Sequence, residues 1–197
     1  PHRKQGRSMN VTHVIGIDPG LSGAIALIQA DTGELFDVAD MPTYKTVTAA
    51  GKKATVIDVP ALAEILNDYI DHADRARDAV IVIEQQSTRP GLAAGSVFKT
   101  GYGYGVLVGL AEASGCCHWS TIRPQEWKAT HGLIGAGGDL KGHKRTAAIK
   151  TASRQAAMAR FPYHADAFWR LRDDGRAEAA LIADAHLCSI VARPVAA

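Results

Sequence analysis

Apolar residues along this 197-residue chain gather in short unbroken runs. Two of them, 12–17 and 24–28, flank a glycine-rich turn in HVIGIDPGLSGAIALI and predict antiparallel neighbouring strands. A third strand is expected at 34–39, whereas TYKTVTAAGKKAT (43–55) reads as a polar, basic, mobile loop. Asp58 and Pro60 mark a helix start, and Leu62, Ile65, Leu66, Tyr69 and Ile70 recur at helical period through 59–70. DAVIVIE (78–84) is a short β-branched strand, 96–113 has helical length, and CCHWSTI (116–122) is a further strand. Pro124 opens a helix in RPQEWKATH, a glycine-rich loop fills 132–142, and helices at 143–160 and 176–191 close the chain. Three meandering strands followed by helix–strand–helix–strand–helices imply an α/β fold, a mixed sheet flanked by helices.

The bulk numbers narrow the class. The length suits one domain, and 47% hydrophobic with 21% charged residues is the composition of an ordinary soluble globule. A net charge of +2 provides no global basic field, so any nucleic-acid contact needs a local basic face. Cys116, Cys117 and Cys188 are odd in number and form no C-x-x-C, against a disulfide framework or zinc knuckle. They are expected as small core residues in a reducing compartment. Lys99 and Glu112 interrupt the longest apolar candidate for a membrane span, so no membrane contact is expected. PHRKQGRSMN has no apolar signal core and reads as an unstructured cloning remnant before a start at Met9. That leaves 11–193 as the folded domain, expected in the cytoplasm or an organellar matrix or stroma and not secreted.

The candidate chemistry lies in acids placed where water is scarce. Asp18 ends the first apolar run, and Glu84 ends AVIVIE, so each carboxylate falls at the C-terminal end of a buried strand. Ligands collect at that edge in open α/β sheets. Asp before Pro-Gly is also good turn chemistry, and strands often end in a polar residue. In DDGRAEAALIADAHL, the positions Asp174, Glu178, Leu181, Ala185 and Cys188 form one helical stripe, which puts two acids on the core-facing side. Helix capping and the helix dipole explain either acid but not both, because like charges at i, i+4 repel. Four carboxylates converging in a partly dry cleft need a counter-charge. Hard divalent cations supply it, and two such ions roughly 3.5–4 Å apart are suited to phosphodiester hydrolysis. Magnesium, with manganese as a substitute, is the expected cofactor.

IGIDPGLSG, VIVIEQ, SVFKTGYGYGVLVGL, IRPQEWK and DGRAEAALIA occur in the order seen in RuvC-type Holliday-junction resolvases. The chain resembles most the phage and organelle branch of that family, within the ribonuclease H-like superfamily, over nearly all of the expected domain. The resemblance implies a homodimeric, metal-dependent endonuclease that nicks opposed strands of a four-way DNA junction, with Asp18, Glu84, Asp174 and Glu178 as catalytic metal ligands. The last two acids are spaced i, i+4 here, where bacterial members use i, i+3; both spacings keep one helical face. Lys128 and Lys144 match DNA-contacting lysines, and Lys141, His143 and Arg145 add positive charge around the 132–142 loop. The family often places a base-stacking aromatic after the Glu84 equivalent, but QQSTRPGLAAG (85–95) has none.

Gly101, Gly105 and Gly109 leave one bare helix face, which suits close approach of another backbone. The resemblance places this helix at a two-fold dimer interface. Each histidine is expected at the surface, and Asp184 lies off the acidic stripe. Two other readings stay open. One is a sugar or acetate kinase-like ATP-binding domain, whose first hairpin also reads IGIDxG, although the expected protein uses no nucleotide cofactor. The other is a junction-binding protein without catalysis.

Overall fold

A computed structural model describes residues 11–73, 78–87, 91–116 and 118–191. The expectation of an unstructured remnant at 1–10 falls outside them. The sheet holds β1 (His13–Asp18), β2 (Ala24–Gln29), β3 (Leu35–Asp40), β6 (Ala79–Glu84) and β7 (His118–Ile122), in the order β3-β2-β1-β6-β7. The first three strands pair antiparallel, and β1–β6 and β6–β7 pair parallel. This arrangement is the mixed sheet that the apolar runs predict.

Both sheet faces are covered, which is why the strands read as continuous apolar runs rather than alternating ones. Ile15, Ile17, Ile81 and Ile83 pack on one side against α1 (Val59–Asp71) and α2 (Ala94–Ala113), through Leu62, Leu66, Leu107 and Ala111. Asp58 caps α1, accepting from the Ala61 amide at 3.3 Å, with Pro60 in the first turn. On the other side, Val14, Ala26, Ile28 and Val82 lie beneath α5 (Asp174–Val191). The helices α3 (Pro124–Thr130) and α4 (Gly142–Arg160) and a 3-10 segment, Pro162–Phe168, complete that layer.

The 43–55 expectation is corrected. The segment forms a hairpin, β4 (Thr43–Val47) and β5 (Lys53–Ile57), paired from Thr43↔Ile57 to Val47↔Lys53. Its strands mix β-branched residues with lysines and are largely exposed, so the chain looks polar while pairing regularly. A turn closed by Thr48 and Lys52, with Gly51 at φ +74°, joins the strands.

Burial along α5 also departs from a single stripe. Ala177 and the run 179–185 are buried almost all round, while Cys188, expected on the core side, is exposed. Cys116 is half-buried, and Cys117 lies outside the described residues. The core reading therefore fails for Cys188: it falls on the solvent side of a turn whose Leu187 still packs in the core.

The tightest contact in this layer involves Gly16. A Cβ there would meet the Ala179 carbonyl oxygen at 2.3 Å and the Ala183 Cβ at 2.8 Å. Helix backbone rests directly on strand backbone. Gly16→Ala must push α5 away, and overpacking of this kind costs roughly 1–3 kcal/mol. Urea unfolding should show a lower midpoint with an unchanged slope. A wild-type midpoint would mean the layers have slack.

Candidate active site

Strand alternation decides where the first two acids point. Val14, Gly16 and Asp18 share the α5 face of β1, and Val82 and Glu84 share it on β6. The parallel register sets Ile17 beside Ile83, so Asp18 and Glu84 end neighbouring strands at the same level. The first turn of α5 brings Asp174 and Glu178 over that edge. Gly175 permits this, because a Cβ there would strike the Ser22 carbonyl oxygen at 2.2 Å in the β1–β2 turn.

The four acids feel one another. Burial raises the Asp18 carboxyl well above its ordinary value, and the charges of Glu178, Glu84 and Asp174 push it further in the same direction. Burial likewise raises Glu178, with Lys128 opposing and Glu84 reinforcing the shift. Each acid except Asp18 has its own hydrogen-bond partner. Glu84, 9% exposed, accepts from the Trp127 indole at 2.9 Å and from Gln86 at 3.2 Å. The Lys150 ammonium lies 2.5 Å from Asp174, and the Ser153 hydroxyl donates to Glu178 at 3.1 Å. Lys150 and Ser153 occupy successive turns of α4, matching the two acids across the α4–α5 contact. Among the described residues, no three carboxylate, imidazole or thiol side chains already stand close enough to enclose an ion. The donor set nevertheless fits a hard cation: it is all carboxylate oxygen, and Asp18 is desolvated and crowded by like charge.

A cleft of about 580 Å³ opens beside Glu178, lined by Lys128, Arg145, Thr146, Ile149 and Lys150. The Lys128 ammonium also sits 4.8 Å from the centre of the Trp127 ring. Of the predicted basic residues, Lys128 and Arg145 thus reach this cleft. Lys141 and Lys144 are exposed at the start of α4, outside its lining. Lys150, Ser153 and Trp127 escaped the sequence reading. A signal existed in α4, where Thr146, Lys150, Ser153 and Ala157 follow i, i+4, i+3, i+4 and end on a buried alanine. Gly101, Gly105 and Gly109 stand apart from this site, on a face of α2 where an added Cβ would meet nothing within 4 Å.

Comparison with solved structures finds similarity to T. thermophilus RuvC in complex with a Holliday junction substrate. That match has 14% identity and a TM-score of 0.48, and covers 91% of this chain and 96% of the other. A second similarity is to the yeast mitochondrial Holliday junction resolvase Ydc2, at 14% identity and a TM-score of 0.49, covering 92% and 80%. No protein-family model matches the chain, and no curated protein does. Among the described residues, no helix is long and apolar enough to cross a membrane.

A surface expectation fails nearby, for His131. The side chain of His131 is 9% exposed and donates from Nε2 to the Leu181 carbonyl at 2.9 Å. Asp184, off the acidic stripe as expected, is nonetheless buried and paired with Arg160 at 2.7 Å. Arg160 also donates to the Gly33 carbonyl, which ties the end of α4 to the β2–β3 turn. Asp184→Ala leaves Arg160 without this acceptor. The cost should be about 1–3 kcal/mol in chemical denaturation, moderated because Arg160 retains water contact. An unaltered unfolding midpoint would make the pair dispensable.

Proposed function

We propose that this chain is a metal-dependent, structure-selective endonuclease that resolves four-way DNA junctions by paired symmetric nicks. The observation that carries the reading is the meeting of four carboxylates at one sheet edge, beside a cleft lined by Lys128, Arg145 and Lys150. The motif order in the sequence supports the same substrate. Asp18, Glu84, Asp174 and Glu178 would hold magnesium or manganese, two ions per site. Bound there, the ions supply Lewis-acid activation of water and neutralise charge at the leaving oxygen.

The protein's own groups have separate tasks. Lys128, Arg145 and Lys150 attract and orient the phosphate, with Lys141 and Lys144 extending the positive surface along the start of α4. Trp127 fixes the rotamer of Glu84, and Ser153 fixes that of Glu178. Lys150 holds Asp174 by ion pairing and would release it to a bound cation.

Two symmetric cuts need two sites, so the functional unit in this reading is a two-fold homodimer. The bare face of α2 at Gly101, Gly105 and Gly109 is the surface proposed for the second copy.

Asp18→Asn retains shape and removes one ligand charge. It should abolish magnesium-dependent cleavage of a synthetic four-way junction while junction binding persists in a gel-shift assay. Near-wild-type cleavage would return Asp18 to turn chemistry. If the wild type binds junctions but cleaves none with magnesium or manganese, a binding-only role replaces this proposal.

Gly105→Leu should convert the dimer to a monomer in light scattering, with helical circular dichroism retained and paired nicking lost. A monomeric wild type that resolves junctions fully would overturn the dimer.

A further inference from the structure

The ion pair between Lys150 and Asp174 differs from the other acid–base pairs around α5. Arg170 and Arg176 each hold a carboxylate through two nitrogens, on Asp173 and Asp40. Arg160 is tied both to Asp184 and to the Gly33 carbonyl. Lys150 meets Asp174 through one ammonium and has no second acceptor among the described residues. A compact charge on a flexible stem exchanges partners more readily than a planar fork held at two points.

Exposure points the same way. The Lys150 side chain is 46% exposed and lines the cleft beside Glu178, whereas that of Asp174 is 14% exposed. The base has room to withdraw into the cleft while the acid stays at the sheet edge. Ser153, one turn further along α4, is buried and fixed on Glu178. The helix thus presents one fixed neutral donor and one movable cation to the acids. Residues 141–160 hold no acid, so no carboxylate on its own helix draws Lys150 away.

The charge of Lys150 is felt beyond its partner. The hydrogen bond to Asp174 raises the ammonium above its ordinary value, and the charges of Asp174, Glu178 and Asp18 act in the same direction. Burial and the other three acids raise Asp18, and the Lys150 charge opposes them. One ammonium therefore offsets part of the repulsion within the whole cluster.

We propose that Lys150 is a resident counter-ion: in the metal-free protein it occupies Asp174 and balances the acid edge, and a divalent cation has to displace it to bind. The contact is autoinhibitory, because it keeps one ligand engaged and raises the metal concentration needed for loading. The proposal rests on reading the four acids as a metal site and adds what governs its occupation.

The test uses the full chain stripped of metal, with Mn²⁺ alone as the probe and no DNA. Calorimetry should show Mn²⁺ binding roughly 5- to 30-fold tighter in Lys150→Met and Lys150→Gln than in the wild type, because no ammonium has to be displaced. Lys150→Arg, which keeps the charge, should stay closer to the wild-type affinity than either. Arg145 lines the same cleft and forms no ion pair among the described residues. Through-space attraction alone should make Arg145→Met tighter by about twofold or less.

Urea unfolding gives a second readout. Without metal, Lys150→Met should unfold at a lower midpoint than the wild type, and saturating Mn²⁺ should bring the two midpoints together. A merely structural lysine would lower the midpoint in both conditions. Unchanged or weaker Mn²⁺ affinity in both Lys150→Met and Lys150→Gln would overturn the proposal, as would a deficit in midpoint that Mn²⁺ leaves in place. Junction cleavage by the wild type is assayed in parallel. A wild type that neither binds Mn²⁺ nor cleaves removes the metal site itself, and the counter-ion with it. One that binds and cleaves, with Lys150→Met no tighter, removes the counter-ion alone.

Discussion

The closeness of α5 to the sheet is the constraint on which the rest depends. Gly16 on β1 and Gly175 on α5 each leave out a side chain where backbone from the other element already sits. Alanines fill the remaining contact at Ala177, Ala179, Ala180 and Ala183. With large residues here, α5 would ride higher, and its first turn would stand away from the ends of β1 and β6. The reach of Asp174 and Glu178 toward Asp18 is thus fixed by small residues one to three turns along the helix. Packing sets the geometry of the candidate site, which no single acid could do.

That geometry opposes folding. Bringing four carboxylates to one edge raises Asp18 through lost solvation and mutual repulsion. The fold offsets the strain locally rather than globally. Lys150 and Ser153 reach across from α4 to Asp174 and Glu178, Trp127 donates to Glu84, and the charge of Lys128 acts on Glu178. Asp18 stands apart, with neither a salt bridge nor a side-chain hydrogen bond of its own among these contacts. Local conflict of this kind concentrates at functional sites, and it separates the acid edge from an ordinary solvated strand end.

Much of this was legible in the sequence, for a physical reason. Strands covered on both faces must be apolar throughout, so the runs ending at Ile17 and Ile83 announced themselves. Asp18 and Glu84 then stood out as exceptions to their own strands. The helical spacing of Asp174 and Glu178 was equally visible, because a helix fixes which residues share a face. The hairpin at Thr43–Ile57 was not visible, since a two-stranded sheet with one wet face alternates with polar residues and resembles loop. Lys150, Ser153 and Trp127 stayed hidden because their roles come from the α4–α5 and β6–α3 contacts and not from local pattern. His131 and Asp184 are polar residues whose burial depends on partners distant in sequence. The small net charge concealed a further feature, the segregation of bases and acids in space.

That segregation bears on how binding and chemistry divide in the proposed endonuclease. A phosphate backbone approaching the sheet edge would meet Lys128, Arg145 and Lys150 on one flank. Beside that flank lie the acids, which would repel it. In the proposed endonuclease, affinity would come from the flank and fall with salt, while the acids would subtract from it until cations balanced their charge. Binding without chemistry and chemistry without tight binding become separable by design of the surface. The basic flank would thus work as a register device, bringing phosphate to a sheet edge whose clustered carboxylates would otherwise repel it.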